Sequence, residues 1–256
     1  MADILYNNVY FMKKTIRFIL DKFISLNYDL SSHLVEPNEV DRDFRHVIEE
    51  RLKVLGPTNV VIEAGGCNRP YFKLGELDSI YIGVDVDDHF NSSNYYNLYY
   101  AQSIELELPV RFDLLFSRYL MEHVRNNELS FSNQIKSCLK GGYIVHTYPL
   151  GMHPFSLINR LLGNKLARYF IRIFRRESIV NTGYKAYYSS GNSFALEKIL
   201  KRHDVDYKIY YYYDALDYFR FFYPFALLIF LFNHVSKTLN LRIFASNVLI
   251  VITKSS

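Results

Sequence analysis

Tryptophan is absent from the 256 residues, and cysteine occurs only twice, at Cys67 and Cys138. Two thiols are too few for a disulfide scaffold or a cysteine-based zinc site, and this usage favours a reducing, cytoplasmic setting. Long apolar runs are missing as well. The longest, Phe221 to Phe232, is twelve residues with Pro224 inside it, whereas a spanning helix needs about 20. Lys13, Lys14, Arg17, Asp21 and Lys22 interrupt the apolar N-terminus and break any signal-peptide core. No internal repeat stands out, and short tyrosine runs are the nearest thing to low complexity. With 50% hydrophobic and 22% charged residues, the composition excludes disorder as the main state.

What the chain has in excess is tyrosine and phenylalanine, 23 and 20 residues, together 17% of the sequence. Net charge is only +4, too little to argue for nucleic acid as a partner. Its placement says more. Arg160, Lys165, Arg168, Arg172, Arg175 and Arg176 face only Glu177 within residues 155–178, so this segment holds the whole basic excess.

The pattern of elements is α/β. Residues 1–57 read as a helical extension, with one helix around 10–26. A second helix opens at Glu36-Pro37-Asn38-Glu39, repeats apolar residues at Val40, Phe44, Val47, Ile48, Leu52 and Leu55, and stops at Gly56-Pro57. From residue 58 strands alternate with connecting segments: Val60–Ile62, Ser79–Val84, Tyr95–Ala101, Phe112–Ser117 and Tyr143–Thr147, with helix near 120–139. After Pro149 come a cap at about 151–191, a helix at 193–201, a strand at 206–213, a helical insertion at about 214–240 and a last strand at 243–253. The expectation is a mostly parallel, seven-stranded, Rossmann-like sheet spanning 58–256.

Ligands of such sheets sit beyond the C-terminal strand ends. The first strand ends in Glu63-Ala64-Gly65-Gly66-Cys67-Asn68-Arg69-Pro70, where the glycines permit a tight turn and close backbone approach. The second ends in Asp85, a carboxylate able to accept from both hydroxyls of a ribose. Each feature alone reads as an ordinary turn or cap; together, at this spacing, they favour a nucleoside-containing ligand. A dinucleotide is disfavoured, because the second and third glycines of G-x-G-x-x-G are missing and little room remains for a helix under a pyrophosphate.

Four features in order resemble the class I S-adenosylmethionine-dependent methyltransferases. They are the acid-and-glycine strand end, the acid after strand two, Phe112-Asp113-Leu114 with Leu120-Met121-Glu122-His123-Val124, and Leu139-Lys140-Gly141-Gly142 before strand five. The likeness covers roughly residues 58–150. It implies S-adenosylmethionine as cofactor, with Glu63, Gly65 and Gly66 facing its methionine portion, Asp85 its ribose and Val86 its adenine. Gln102 or Ser103 would lie near the adenine amino group, and Ser117 beneath the transferable methyl. Cys67 and Arg69 depart from the family's glycines, and Lys140-Gly141 lacks its intervening proline. A cofactor-free scaffold, favoured by Cys67, and a nicotinamide-dependent oxidoreductase are the rival readings.

Glu122-His123 also resembles ubiquinone-pathway O-methyltransferases, in which a glutamate four residues before the histidine helps hold a divalent cation. Tyr119 stands there instead, so no metal is expected. His123, His146 and His153 are the three candidate bases or acceptor positioners, since imidazole suits proton transfer near neutrality. Each equally fits a packed position on a rim or in a Pro- and Phe-rich turn. Similar sequences with helical caps act on glycans or lipid-linked intermediates, which points to O-methylation of such an acceptor or of another small molecule. The stretches 154–178 and 218–232, cations beside aromatic-aliphatic stripes, fit either a lid packed on the domain or peripheral contact with an anionic membrane.

Overall fold

The central strand segments hold short β-branched and aromatic runs, as strands covered on both faces require, while Val205–Tyr212 alternates polar and apolar residues with Asp206 and Lys208 exposed. The computed structural model, which describes residues 2–66, 69–87, 94–163 and 185–255, the first twelve of these by backbone alone, places them in one seven-stranded sheet. The strands are β1 (Val60–Ala64), β2 (Ile80–Asp85), β3 (Leu98–Ala101), β4 (Phe112–Arg118), β5 (Cys138–Pro149), β6 (Val205–Tyr212) and β7 (Asn247–Lys254). Their order is β3-β2-β1-β4-β5-β7-β6. The first five are parallel, and β7 runs antiparallel between β5 and β6. This is a Rossmann-like α/β sheet with its chain reversal between β1 and β4, where a crevice opens.

Alternate residues feed two cores. Val61, Tyr81, Leu114, Phe116 and Val145 pack with α2 (Glu39–Leu52) through Val40, Phe44 and Ile48. Ile62, Ile82, Leu115, Ile144 and Ile250 pack on the other side with α3 (Asn127–Ser137) and α5 (Ser193–Leu200). Helix α2 starts where the Asn38 side chain accepts the Asp41 N–H, with Glu39 and Asp41 complementing the helix dipole.

Several elements differ from the sequence expectation, the third strand among them: expected from Tyr95, it begins at Leu98, after Asn97 has bonded the Tyr81 backbone through its own N–H and its side-chain oxygen. Helix α1 spans Ala2–Leu30, longer than the periodic segment suggested. Strand β5 begins at Cys138 and runs for twelve residues. It carries Gly141 at φ 76° inside it and a register shift opposite Phe112 and Leu114. The last strand begins at Asn247, because residues 242–244 coil into a single 3-10 turn.

The N-terminal helix docks on the insertion helix α6 (Tyr223–Thr238). Asn27 accepts the Tyr223 N–H at 2.7 Å, while Arg220 donates to Ser31 Oγ at 3.1 Å and to the Tyr28 carbonyl at 3.0 Å. The rings of Phe23 and Phe222 lie 6.4 Å apart. Beneath α6 a small cluster of Leu34, Leu216, Phe219, Ala226 and Ile229 seats it over the strand ends. Residues 154–163 form the cap helix α4; the remainder of the basic stretch to 178, and 181–184 of the following loop, lie outside the described residues.

Leu115 is fully buried in the central strand. Leu115→Ala is expected to lower unfolding free energy by about 2–5 kcal/mol, read from urea unfolding; a loss below about 1 kcal/mol would contradict the doubly covered sheet.

Candidate functional site

Beyond the C-terminal ends of β1 to β4 lies a cavity of about 1160 Å³. That exceeds the volume one small ligand usually fills, and its lining divides in two. One half is the wall expected of a nucleoside site: Gly65, Gly66, Asp85, Val86, Gln102 and Ser103 all line it. The other half is aromatic and polar, with Tyr119, Phe155, Tyr218, Phe230, Asn233 and His234. Leu120, Glu122 and His123, in the turn after β4, line the junction.

The glycines are needed where they stand. Gly65 has φ 77°, and a Cβ on it would meet the Leu120 side chain at 2.9 Å. A Cβ on Gly66 would meet the Glu63 carboxyl carbon at 2.3 Å and the Tyr96 hydroxyl at 2.6 Å. Cys67, the residue that weighed for a scaffold, lies outside the described residues. Val86 is 59% exposed, an apolar side chain available to a flat ring.

Glu63 also reaches the cavity wall, but its carboxylate is committed to the protein. Tyr71 N–H donates to both oxygens at 3.1 Å, Tyr96 OH donates to Oε2 at 2.8 Å, and Tyr81 OH donates to the same oxygen. Burial pushes its pKa up, against the pull of those hydrogen bonds. Glu63, expected to face a ligand, instead organises the loop through these bonds.

Ser117 and His146 are not where the sequence suggested. Both are fully buried and outside the cavity lining. Ser117 OH donates to His146 Nδ1, and His146 Nε2–H to Gln134 Oε1, both at 2.7 Å. Gln134 then donates to Ser130 Oγ, which donates to the Ile104 carbonyl. Every polar atom along this chain is used, so His146 holds β4, β5 and α3 together instead of facing an acceptor. Burial lowers its pKa to about 3.

His153 departs likewise. It is fully buried, accepts the Phe155 N–H at Nδ1 and contacts Asn233 Oδ1 through Nε2 at 2.9 Å. It fastens the start of α4 to α6. Of the three histidines only His123 lines the cavity; its Nδ1–H donates to the Lys185 carbonyl at 3.1 Å, and burial lowers its pKa.

Two residues of the site were not singled out as functional from sequence. Tyr119 adopts φ 56°, a costly backbone for a bulky residue. It is held there by its N–H to the Thr147 carbonyl at 2.8 Å and its hydroxyl to Asp41 at 3.1 Å. Glu122 is buried beside His123 with one carboxyl oxygen lacking a partner. The adjacent acid and histidine were visible; the burial was not.

No protein-family model matches the chain, and no curated protein matches it. Among solved structures, Haemonchus contortus phosphoethanolamine N-methyltransferase 2 with bound S-adenosyl-L-methionine is similar at 14% identity and a TM-score of 0.48, over 82% of this chain and 52% of that one. This chain thus spans about half that protein's length. The YcgJ protein of Bacillus subtilis is similar at 12% identity and TM-score 0.46, over 83% and 99%. A SAM-dependent methyltransferase from Archaeoglobus fulgidus gives 17% and 0.43, over 82% and 94%. What this cavity binds has to be argued from its own residues.

Because His146 is depressed below its ordinary 6.5, its contribution to stability is present above that value and lost as pH falls toward about 3. Its imidazole is expected to remain neutral at about pH 5 in nitrogen-resolved NMR. A protonated ring there, in folded protein, would contradict the buried network.

Proposed function

We propose that the protein is an S-adenosylmethionine-dependent methyltransferase acting on a hydroxyl of an amphiphilic, glycan- or lipid-linked acceptor. The observation that carries the reading is the alignment of three successive strand ends along one wall. Gly65-Gly66 offers bare backbone, Asp85 a carboxylate for ribose hydroxyls, and Gln102 with Ser103 polar groups for an adenine edge, with Val86 between them. These residues suit the cofactor: Gly65 and Gly66 line the cavity with backbone, and Gly66 has no room for a Cβ.

The rival nicotinamide reading loses ground on structure as well as on sequence. A pyrophosphate is normally received on a helix N-terminus. Among the described residues no helix lies between β1 and β2; the connection is an irregular segment plugged by Tyr71 and Phe72. The antiparallel β7 inside the sheet is a further departure from the all-parallel dinucleotide order.

Bound S-adenosylmethionine supplies a methyl group on a positively charged sulfur, so the chain itself has to align an acceptor and exclude water. The second half of the cavity suits that task. Phe155 and Tyr218 stack at 3.8 Å between centroids, and α6 contributes Phe230, Asn233, His234 and Lys237. The opposite side of α6 leaves Phe225, Leu228, Leu231, Val235 and Leu239 at 50–63% exposed. Helix α1 adds exposed Ile16, Ile19, Phe23, Leu26 and Leu30 in one stripe, with Lys14, Arg17 and Lys22 exposed on the same helix. No described helix is long and apolar enough to cross a membrane. A wall that is polar toward the cavity and apolar outside supports an enzyme lying on an anionic bilayer, reaching an acceptor anchored there.

Isothermal titration calorimetry tests the cofactor. Both S-adenosylmethionine and S-adenosylhomocysteine are expected to bind, and Asp85→Ala to weaken them by about 1.5–3 kcal/mol through loss of charge-assisted hydrogen bonds. Absence of binding to folded wild-type protein would remove the enzyme reading; unchanged affinity in the variant would move the ribose site elsewhere.

Sedimentation with phosphatidylserine-containing vesicles tests the surface. Binding that falls with salt, and falls further in Leu228→Glu/Leu231→Glu, is expected. No sedimentation at low salt, or a dimer that the same double change dissolves, would reassign the face to protein contact.

A further inference from the structure

Among the described residues near the strand ends, Glu63 and His146 are buried and fully engaged. Glu63 accepts from Tyr71, Tyr81 and Tyr96, and His146 is bonded at both nitrogens. Glu122 is different. Its Oε2 is buried with no hydrogen-bond partner, a condition native proteins largely avoid outside functional sites. Its backbone is nonetheless firmly placed, since its carbonyl accepts the N–H groups of Tyr187 at 2.7 Å and Tyr188 at 3.1 Å.

The neighbouring imidazole sharpens the point. His123 gives its Nδ1–H to the Lys185 carbonyl at 3.1 Å, which leaves Nε2 as the lone-pair nitrogen. That nitrogen lies 3.7 Å from Glu122 Oε1. Both residues line the cavity, in the turn whose Leu120 packs against Gly65. A carboxyl and an imidazole thus stand side by side where the glycine loop meets the aromatic half.

We propose that Glu122, paired with His123, is the proton acceptor of this cavity: it keeps its proton in the resting protein, gives it up when a cationic sulfonium enters, and then takes the hydroxyl proton of the acceptor. The proposal rests on the methyltransferase reading above. Burial raises the Glu122 carboxyl to about 8, its own backbone hydrogen bond pulling weakly the other way. The titratable groups facing it from other elements are Tyr148 of β5 and Tyr188 of the 185–190 segment. Both phenols are raised by burial and stay neutral, so neither offsets the cost of ionising the carboxyl. A positive charge arriving in the same low-dielectric cavity favours the carboxylate and lowers that pKa. In the transfer the acceptor O–H and the S–CH3 bonds break, an O–CH3 bond forms, the sulfur becomes a neutral thioether, and the proton passes to Glu122.

Proton linkage measured by calorimetry at about pH 7.5, in buffers of different ionisation enthalpy, tests this without an acceptor. Wild-type protein is expected to release a substantial fraction of one proton on binding S-adenosylmethionine, and clearly less on binding the neutral S-adenosylhomocysteine. Glu122→Gln should bind S-adenosylhomocysteine about as wild type does, bind S-adenosylmethionine several-fold more weakly because no carboxylate meets the sulfonium, and lose the release. Binding of S-adenosylmethionine to wild type without proton release, or release that persists in Glu122→Gln, overturns the proposal while leaving the cofactor reading intact. Failure of wild type to bind either nucleoside overturns the cofactor reading, and the proposal with it. Infrared difference spectra of the wild-type chain give a second measure, independent of whether the variant folds. The protonated-carboxyl band should disappear on binding S-adenosylmethionine, and its persistence would equally overturn the assignment.

Discussion

The buried carboxyl of Glu63 is the constraint on which the strand-end architecture depends. It sits at the end of β1 and collects donors from Tyr71 in the β1–β2 connection, Tyr81 on β2 and Tyr96 before β3. A carboxylate in this position carries a large desolvation cost, offset only if its lone pairs are filled. Filling them ties together three segments that would otherwise be joined by side-chain packing alone. It also dictates the glycine beside it, since any side chain on Gly66 would displace the carboxyl. The cavity-lining loop is therefore bare because the acid behind it is committed to the protein.

The same interaction explains much of the aromatic excess. The β1–β2 connection has no described helix to cover the sheet, and rings do that work. Tyr71, Phe72, Phe44, Phe116 and Tyr81 meet edge-to-face or stacked at 4.9–6.5 Å between centroids. Such contacts add to area burial through ring quadrupoles. Tyrosine is required at 81 and 96 in particular, because phenylalanine fills the volume but cannot donate to Glu63. One centre of the aromatic excess is thus this ring cluster packed against the sheet face that α2 covers.

The legibility of the chain followed local physics. Val60–Ile62, Ser79–Val84 and Phe112–Ser117 were readable as strands because each holds an apolar run covered on both faces; Asp113 alone interrupts the last, and its carboxylate accepts the Val60 N–H of the neighbouring strand. Gly65, Gly66 and Asp85 were readable because a strand end offers few reasons for a glycine pair followed by an acid. His146 and His153 were misplaced for a reason beyond local pattern. β5 lies between β4 and β7 and continues to Pro149, so His146, taken as near the strand's exit, is deep in the sheet beside Ile144 and Tyr148. Only the insertion of β7, from about 100 residues downstream, makes it so. The burial of Glu122 was not legible, since the covering segment 185–190 is distant in sequence and leaves no local signature.

Two kinds of buried ionisable group emerge, and the difference between them organises the site. Glu63 and His146 are surrounded by complementary partners and hold the sheet, the glycine loop and α3 in register; their chemistry is spent on structure. Glu122 receives backbone support but no partner for its outer oxygen, and it stands where the glycine wall meets the aromatic one. An unsatisfied group is tolerated only when surrounding structure over-determines it. Here the over-determination comes from the Tyr187 and Tyr188 N–H bonds, the His123–Lys185 contact and the Leu120–Gly65 packing. The strained Tyr119 backbone, anchored to Thr147 and Asp41, opens the same turn. The turn after β4 is thus fixed from both sides, by the sheet it leaves and by the cap that covers it. That rigidity lets a buried carboxyl remain short of a partner in the folded protein.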